Sequence, residues 1–73
     1  MSQPDLFHVE CTVLEILPGF GLAHLEASDR SVYTLNRQTP GIHFDDLKVG
    51  QRVRVGATSK FRRVWHAVLL RDR

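Results

Sequence analysis

The sequence has little of what several classes of protein require. Its 73 residues include one cysteine, Cys11, which excludes an internal disulfide and a cysteine-based zinc site. No apolar run approaches the roughly 20 residues of a membrane-spanning helix. Residues 1–7 contain Asp5 and no basic residue, so we expect no secretory signal. These absences predict a cytoplasmic protein without membrane association.

Motifs of catalytic and cofactor sites are absent as well. The sequence has no phosphate-binding loop, no Gly-x-Ser-x-Gly motif and no dinucleotide-binding fingerprint. Its four histidines are scattered without the spacing of metal ligands. The adjacent Asp45 and Asp46 are typical of the start of a turn or helix. We therefore predict a non-enzyme that binds neither a cofactor nor a metal.

The composition that remains is that of an ordinary globular domain, with 42% hydrophobic and 25% charged residues. At this length we expect a single domain, residues 1–73, with a core of about residues 9–70. Turn signals separate short, mostly alternating segments, and no long helical periodicity appears. These segments are residues 9–13, 20–25, 31–36, 52–55 and 62–70. The pattern predicts an all-β fold, a small closed barrel of five strands.

The alternation also assigns side chains to faces. Cys11 takes an inward position and is expected to be an inert core thiol. A change of phase at residues 14–17 predicts a bulge. Phe20 and Leu22 fall on one face of their strand, and Tyr33 and Leu35 on one face of theirs. We expect residues 56–61 to form a loop and residues 45–48 a single helical turn.

Charge is distributed unevenly along the chain, although the net charge is only +2. Residues 1–46 carry seven acidic and two basic side chains, a net charge of −5, whereas residues 47–73 carry eight basic and one acidic, a net charge of +7. A concentrated basic segment is typical of proteins that bind polyanions. The alternative is a solvated basic face that pairs with the acidic half.

Three segments of the sequence resemble a known family. Residues 18–23, Pro-Gly-Phe-Gly-Leu-Ala, resemble the first RNA-contacting motif of bacterial cold-shock domains, and residues 32–35 resemble the second. The series Leu47, Gly50, Gln51, Arg52 and Val53 matches the same family at the same spacing. The resemblance extends over about residues 9–70 and implies a five-stranded oligonucleotide-binding (OB-fold) barrel.

The resemblance implies binding of single-stranded RNA or DNA. In the family, side chains of the second and third strands point outward and stack on bases, a contact worth ~1–3 kcal/mol per base. The matching positions here are Phe20, Leu22, Tyr33 and Leu35. Phe44 matches a loop phenylalanine that also stacks on a base, and its alternative role is to close one end of the barrel.

The basic residues of the last hairpin add to this predicted interface. Lys60, Arg62 and Arg63 flank Phe61, and such interleaving can bind phosphate and base together. The alternative for Phe61 is to cap the barrel, and we expect Trp65 to pack in the core or at the barrel rim rather than to stack on a base.

The sequence departs from the family in ways that weaken the expected binding. Pro18 stands where the family has lysine, and Leu22 and Leu35 stand where it has an aromatic residue and a histidine. Leucine lacks the planar π-face of a ring, so we expect weak binding, about micromolar, with little sequence preference. The alternative function is a protein-interaction barrel in which a Leu22/Leu35 patch contacts a partner protein or a second copy.

Overall fold

Five strands provide nearly all of the regular secondary structure in the described residues. The computed structural model describes residues 6–59 and 63–70. In chain order it has strands β1 (Leu6–Leu17), β2 (Leu22–Ala27), β3 (Val32–Asn36), β4 (Arg52–Thr58) and β5 (Val64–Leu69), with one 3₁₀ turn, Phe44–Asp46, before β4. The prediction of an all-β protein with five strands is confirmed. No helix in these residues is long and apolar enough to span a membrane.

The strands form one antiparallel sheet in the order β3-β2-β1-β4-β5, curved into a half-barrel. The central strand β1 pairs with β2 through its second half and with β4 through its first half. The predicted bulge is present, because the register of β1 against β2 shifts between Val13 and Glu15. The prediction of a loop from residue 56 is wrong, since β4 continues through Thr58. The helical turn also begins earlier than predicted, at Phe44.

The core lies on the concave side of this sheet. Its largest fully buried side chains come from β1, β2, β3 and β4; they are Cys11, Val13, Leu25, Leu35, Val53 and Val55. No buried side-chain nitrogen or oxygen of the described residues lacks a hydrogen-bond partner. The few polar side-chain atoms that are buried, such as those of Ser31 and Thr39, are therefore satisfied within the protein.

The open side of the half-barrel is closed by a loop. Edge strands β3 and β5 contact each other, and the carbonyl of Pro40 accepts a hydrogen bond of 3.0 Å from the Ala67 amide in β5. Gly41 has a φ of +88°, and a Cβ there would lie 2.4 Å from the carbonyl oxygen of Ala67 and 2.5 Å from Nε2 of His66. Only glycine tolerates both this dihedral angle and this approach.

Replacing Gly41 tests this closure. We expect Gly41→Ala to lower the free energy of unfolding by about 2 kcal/mol or more, because a methyl group would combine backbone strain with steric overlap. Urea denaturation measures the loss. Gly19→Ala is the matched control, since no atom beyond the two neighbouring residues lies within 4 Å of a Cβ at that position, and it should change stability by less than about 0.5 kcal/mol. Equal effects of the two substitutions would contradict this account.

Burial also determines the reactivity of Cys11. The thiol is 2% exposed, and its burial, followed by the charge of Asp29, raises its pKa from 9.0 to about 11. At pH 8 only about a thousandth of the thiol is then ionised, and the thiolate is the reactive form. We expect iodoacetamide to leave Cys11 unmodified in the folded protein and to alkylate it readily in urea. Rapid alkylation without denaturant would show that the strand is accessible.

Candidate nucleic-acid interface

The structure reverses the predicted orientation of β3. Tyr33 and Leu35 do share a face, but that face is the inner one, and the two residues are 4% and 0% exposed. Tyr33 pairs with the buried Leu25 of β2, while Val32 and Thr34 point outward. The prediction that Tyr33 and Leu35 present their side chains to bases is therefore wrong. The core takes the larger apolar side chains of this strand, because burying them removes more apolar surface from water.

Phe44 is also a core residue, as the alternative interpretation of its position required. It is 7% exposed, and the Arg37 guanidinium covers its ring, with Cζ 4.7 Å from the ring centroid. Arg37 also donates to a carboxylate oxygen of Asp45 at 3.0 Å and to the carbonyl of Pro18 at 3.3 Å. Arg37 thus joins the β1–β2 turn to the segment before β4, and Phe44 is closed off from a ligand.

Phe20 is the one residue of the predicted aromatic set whose ring is exposed in the described structure. It lies in the turn between β1 and β2 and is 79% exposed. Leu22, at the start of β2, is partly buried. Because Leu35 is fully buried, the expected Leu22/Leu35 patch does not form. The structure therefore does not bring these residues together on one surface.

The outer face of β2 and β3 has the wrong charge for a phosphate chain. Glu26 of β2 lies on it, Glu15 of β1 borders it, and His24 of β2 pairs with Glu15 at 3.1 Å between Nδ1 and Oε1. The neighbouring outward positions on β3 are Val32 and Thr34. Carboxylates repel phosphates, and the one aromatic ring that these strands present outward, the imidazole of His24, is paired with a carboxylate, so this face does not suit a nucleic acid.

Basic side chains occupy the other half of the outer face. Arg52 and Arg54 point outward from β4 and both approach Glu10 of β1, at 2.6 and 3.8 Å. Arg63 is exposed at the start of β5, where its carbonyl accepts a hydrogen bond from the Thr58 amide. The predicted contacts Lys60 and Arg62 lie outside the described residues. The described part of the basic segment thus faces outward on β4 and next to β5.

A row of three residues crosses this basic half, with glycine at its centre. His8 of β1 is opposite Gly56 of β4, which is opposite His66 of β5. The register of β4 against β5 shifts just beyond this row, and Trp65 is the extra residue of the bulge. Bulges of this kind redirect a side chain out of the normal alternation. Here the indole is directed to the outer face, over the position where glycine has no side chain.

Trp65 is held in this position by its neighbours. A Cβ on Gly56 would lie 2.9 Å from the Cε2 and Cζ2 atoms of the indole. The imidazole centroids of His8 and His66 lie 5.8 and 5.5 Å from the indole centroid. Trp65 nevertheless remains 40% exposed. A ring fixed by its surroundings and still open to solvent is suited to stacking with a planar group.

We define the Trp65 surface as the outer face formed by His8, Arg54, Trp65, His66 and Val68. A depression of about 370 Å³ lies along it, lined by its members other than Trp65. Sequence reasoning treated Trp65 mainly as a packing residue and did not select His8, Arg54 or His66 for this site. One signal in the sequence could have pointed to this site. The alternation of outward and inward side chains continues through Gly56, which favours a single strand over residues 52–58.

The described residues contain no group of three or more histidine, cysteine, aspartate or glutamate side chains placed to hold a metal ion. A comparison with models of protein families found no match. Comparisons with curated proteins and with solved structures likewise found no similar protein. The likeness to cold-shock domains stays a prediction from the residues quoted above.

The packing of the Trp65 indole over Gly56 can be tested by placing a methyl group in the space that the indole occupies. In Gly56→Ala the new methyl group would overlap the indole, so we expect the ring to move into solvent. The sequence has one tryptophan, and its fluorescence emission should shift to longer wavelength. Gly19→Ala should leave the emission unchanged. An unaltered spectrum of Gly56→Ala would show that the indole does not rest on this glycine.

Proposed function

We propose that the protein is an OB-fold barrel that binds single-stranded RNA or DNA weakly and with little sequence preference. The observation that carries this proposal is the exposed indole of Trp65, seated over Gly56 in the basic half of the outer face. A nucleotide base can stack on a fixed aromatic ring, and neighbouring basic side chains can bind the phosphates on either side of that base. The proposed interface is therefore the Trp65 surface, in place of the face on β2 and β3.

The sheet topology supports the assignment to this fold. A bulged first strand that pairs with both β2 and β4, and contact between β3 and β5, agree with a five-stranded, partly open barrel. OB-folds bind oligonucleotides through the β2–β3 face and the loops after β1 and β4. Here Trp65 is the second residue of β5, and the sequence between β4 and β5 contains Lys60, Arg62 and Arg63. Phe20 occupies the other of these two loops.

The charges near Trp65 support a polyanionic ligand. Arg54 is about half exposed and lies 3.8 Å from Glu10, which has a closer partner in Arg52 at 2.6 Å. Exposed ion pairs of this kind are worth only about 0–1 kcal/mol. Arg54 can therefore turn toward a phosphate at little cost while Arg52 keeps the carboxylate compensated.

Protein binding is the second candidate function, and exposed apolar side chains favour it. Val68, a member of the Trp65 surface, is 40% exposed, and Leu6, which points outward beside that surface, is 53% exposed. These residues, rather than Leu22 and Leu35, would contact a partner protein or a second copy. Such a complex would be insensitive to salt, unlike one with a nucleic acid, and sedimentation with and without oligonucleotide separates the two.

Substitution of Trp65 tests the proposed interface. We expect Trp65→Leu to weaken binding of a labelled thymine oligonucleotide by about tenfold or more, because one base loses its stacking contact. Trp65→Phe should retain most of the affinity. Phe20→Leu is the matched control at the other loop and should have the smaller effect. Fluorescence anisotropy measures each affinity, and circular dichroism confirms that the variants fold.

The same titrations at several salt concentrations test the electrostatic contribution. If four phosphates are neutralised, log K should fall with log salt concentration with a slope of roughly −3. Arg54→Gln should make the slope shallower by roughly 0.7. Absence of binding at low salt by the folded protein would overturn the proposed function. A larger loss from Phe20→Leu than from Trp65→Leu would place the interface at the β1–β2 turn.

A further inference from the structure

Two histidines flank Trp65, and the proposed function does not yet give them a role. His8 and His66 occupy the two ends of the row whose centre is Gly56. Adjacent strands are about 4.8 Å apart, so the two backbone positions are separated by roughly 9–10 Å, and the indole lies against both rings. A base stacked on Trp65 would therefore have an imidazole on each side.

We propose that His8 and His66 bind the phosphates on either side of a base stacked on Trp65, and that they do so in their protonated form. The inference rests on the proposed function and adds two ligand-binding residues to it. The imidazole is the side chain whose charge changes between about pH 5 and 8. A phosphate favours the charged imidazole over the neutral one. Binding of the strand then takes up protons, and affinity rises as the pH falls.

The surroundings of both rings are compatible with this role. His8 is exposed on β1, where the next outward residue is Glu10, and Arg54 faces the depression from β4. The carboxylate of Glu10 already pairs with two arginines, so its negative charge is compensated without His8. An anionic ligand in the depression attracts both the guanidinium and a protonated imidazole, so proton uptake is coupled to binding.

His66 is held more tightly than His8. Its Nε2 atom lies against Gly41, so close that a Cβ there would be 2.5 Å away, and its ring lies 33° from the plane of the indole. Arg54 and His8 are the titratable groups that line the depression with it. The closing loop, β4 and β5 thus fix this imidazole beside the stacking site. His66 therefore stays beside a base stacked on Trp65 without rearrangement of the strand.

The experiment compares the affinity of the full chain for a thymine oligonucleotide at about pH 5.5 and pH 8. Thymine bases do not titrate in this range, so any proton uptake belongs to the protein. We expect binding to be about tenfold tighter at the lower pH. The gain cannot exceed tenfold for each pH unit by which the bound oligonucleotide raises the midpoint of histidine protonation. In the double variant His8→Gln/His66→Gln the two affinities should agree within about threefold.

Two further variants make the result specific to these residues. His24→Gln is the matched control, because His24 pairs with Glu15 on the acidic face, and it should keep the full pH dependence. His8→Lys, with a permanent charge at an exposed position, should bind tightly at pH 8 as well. Anisotropy of the labelled oligonucleotide is the readout, since tryptophan emission itself responds to a nearby charge.

The outcomes separate this inference from the function on which it rests. Absence of binding at either pH would overturn the proposed function and the inference with it. Binding whose pH dependence survives in the double glutamine variant would overturn the inference alone, as would pH-independent binding by the unaltered chain. Loss of pH dependence in the double variant, with its retention in His24→Gln, would support the role of His8 and His66.

Discussion

The whole architecture depends on the pairing of β1 with two strands at once. Residues 6–12 pair with β4 and residues 11–17 with β2, so Cys11 and Thr12 pair with both, and the bulge between Val13 and Glu15 interrupts the pairing with β2. Cys11 and Val13 anchor β1 in the core. Because each partner is fixed in register, the outward residues of β1 are fixed too: Glu10 stands opposite Arg54, and His8 opposite Gly56. The site on the outer face follows from this backbone pairing.

The fold could be predicted from the sequence because its signals are local. Alternating apolar residues and the turn residues between them predict the five strands, and the change of phase after Val13 predicts the bulge. The ends of the strands were less accessible. The sequence predicts a loop from Gly56, and glycine does weaken a strand. In the structure the indole of Trp65 covers this position and compensates for the missing side chain.

The candidate site was harder to predict, for two physical reasons. Alternation shows which residues share a face but not which face is inside, and for β3 both choices place an apolar or β-branched pair in the core. Burial of Tyr33 and Leu35, opposite the buried residues of β2, decided this in favour of the larger side chains. The second reason is the bulge at Trp65. It depends on the register of β4 against β5, which a single sequence does not reveal.

The closure by Pro40 and Gly41 has a consequence for the motion of the protein. In the described residues no ladder of hydrogen bonds joins β3 to β5, so the seam between them is held by side-chain packing and by the bond from Ala67 to Pro40. Partial openings of a native protein begin where the fewest bonds must break. Amide hydrogens of β5 will therefore exchange faster than those of β1. Local opening between β3 and β5 will first displace the imidazole of His66, which lies against Gly41.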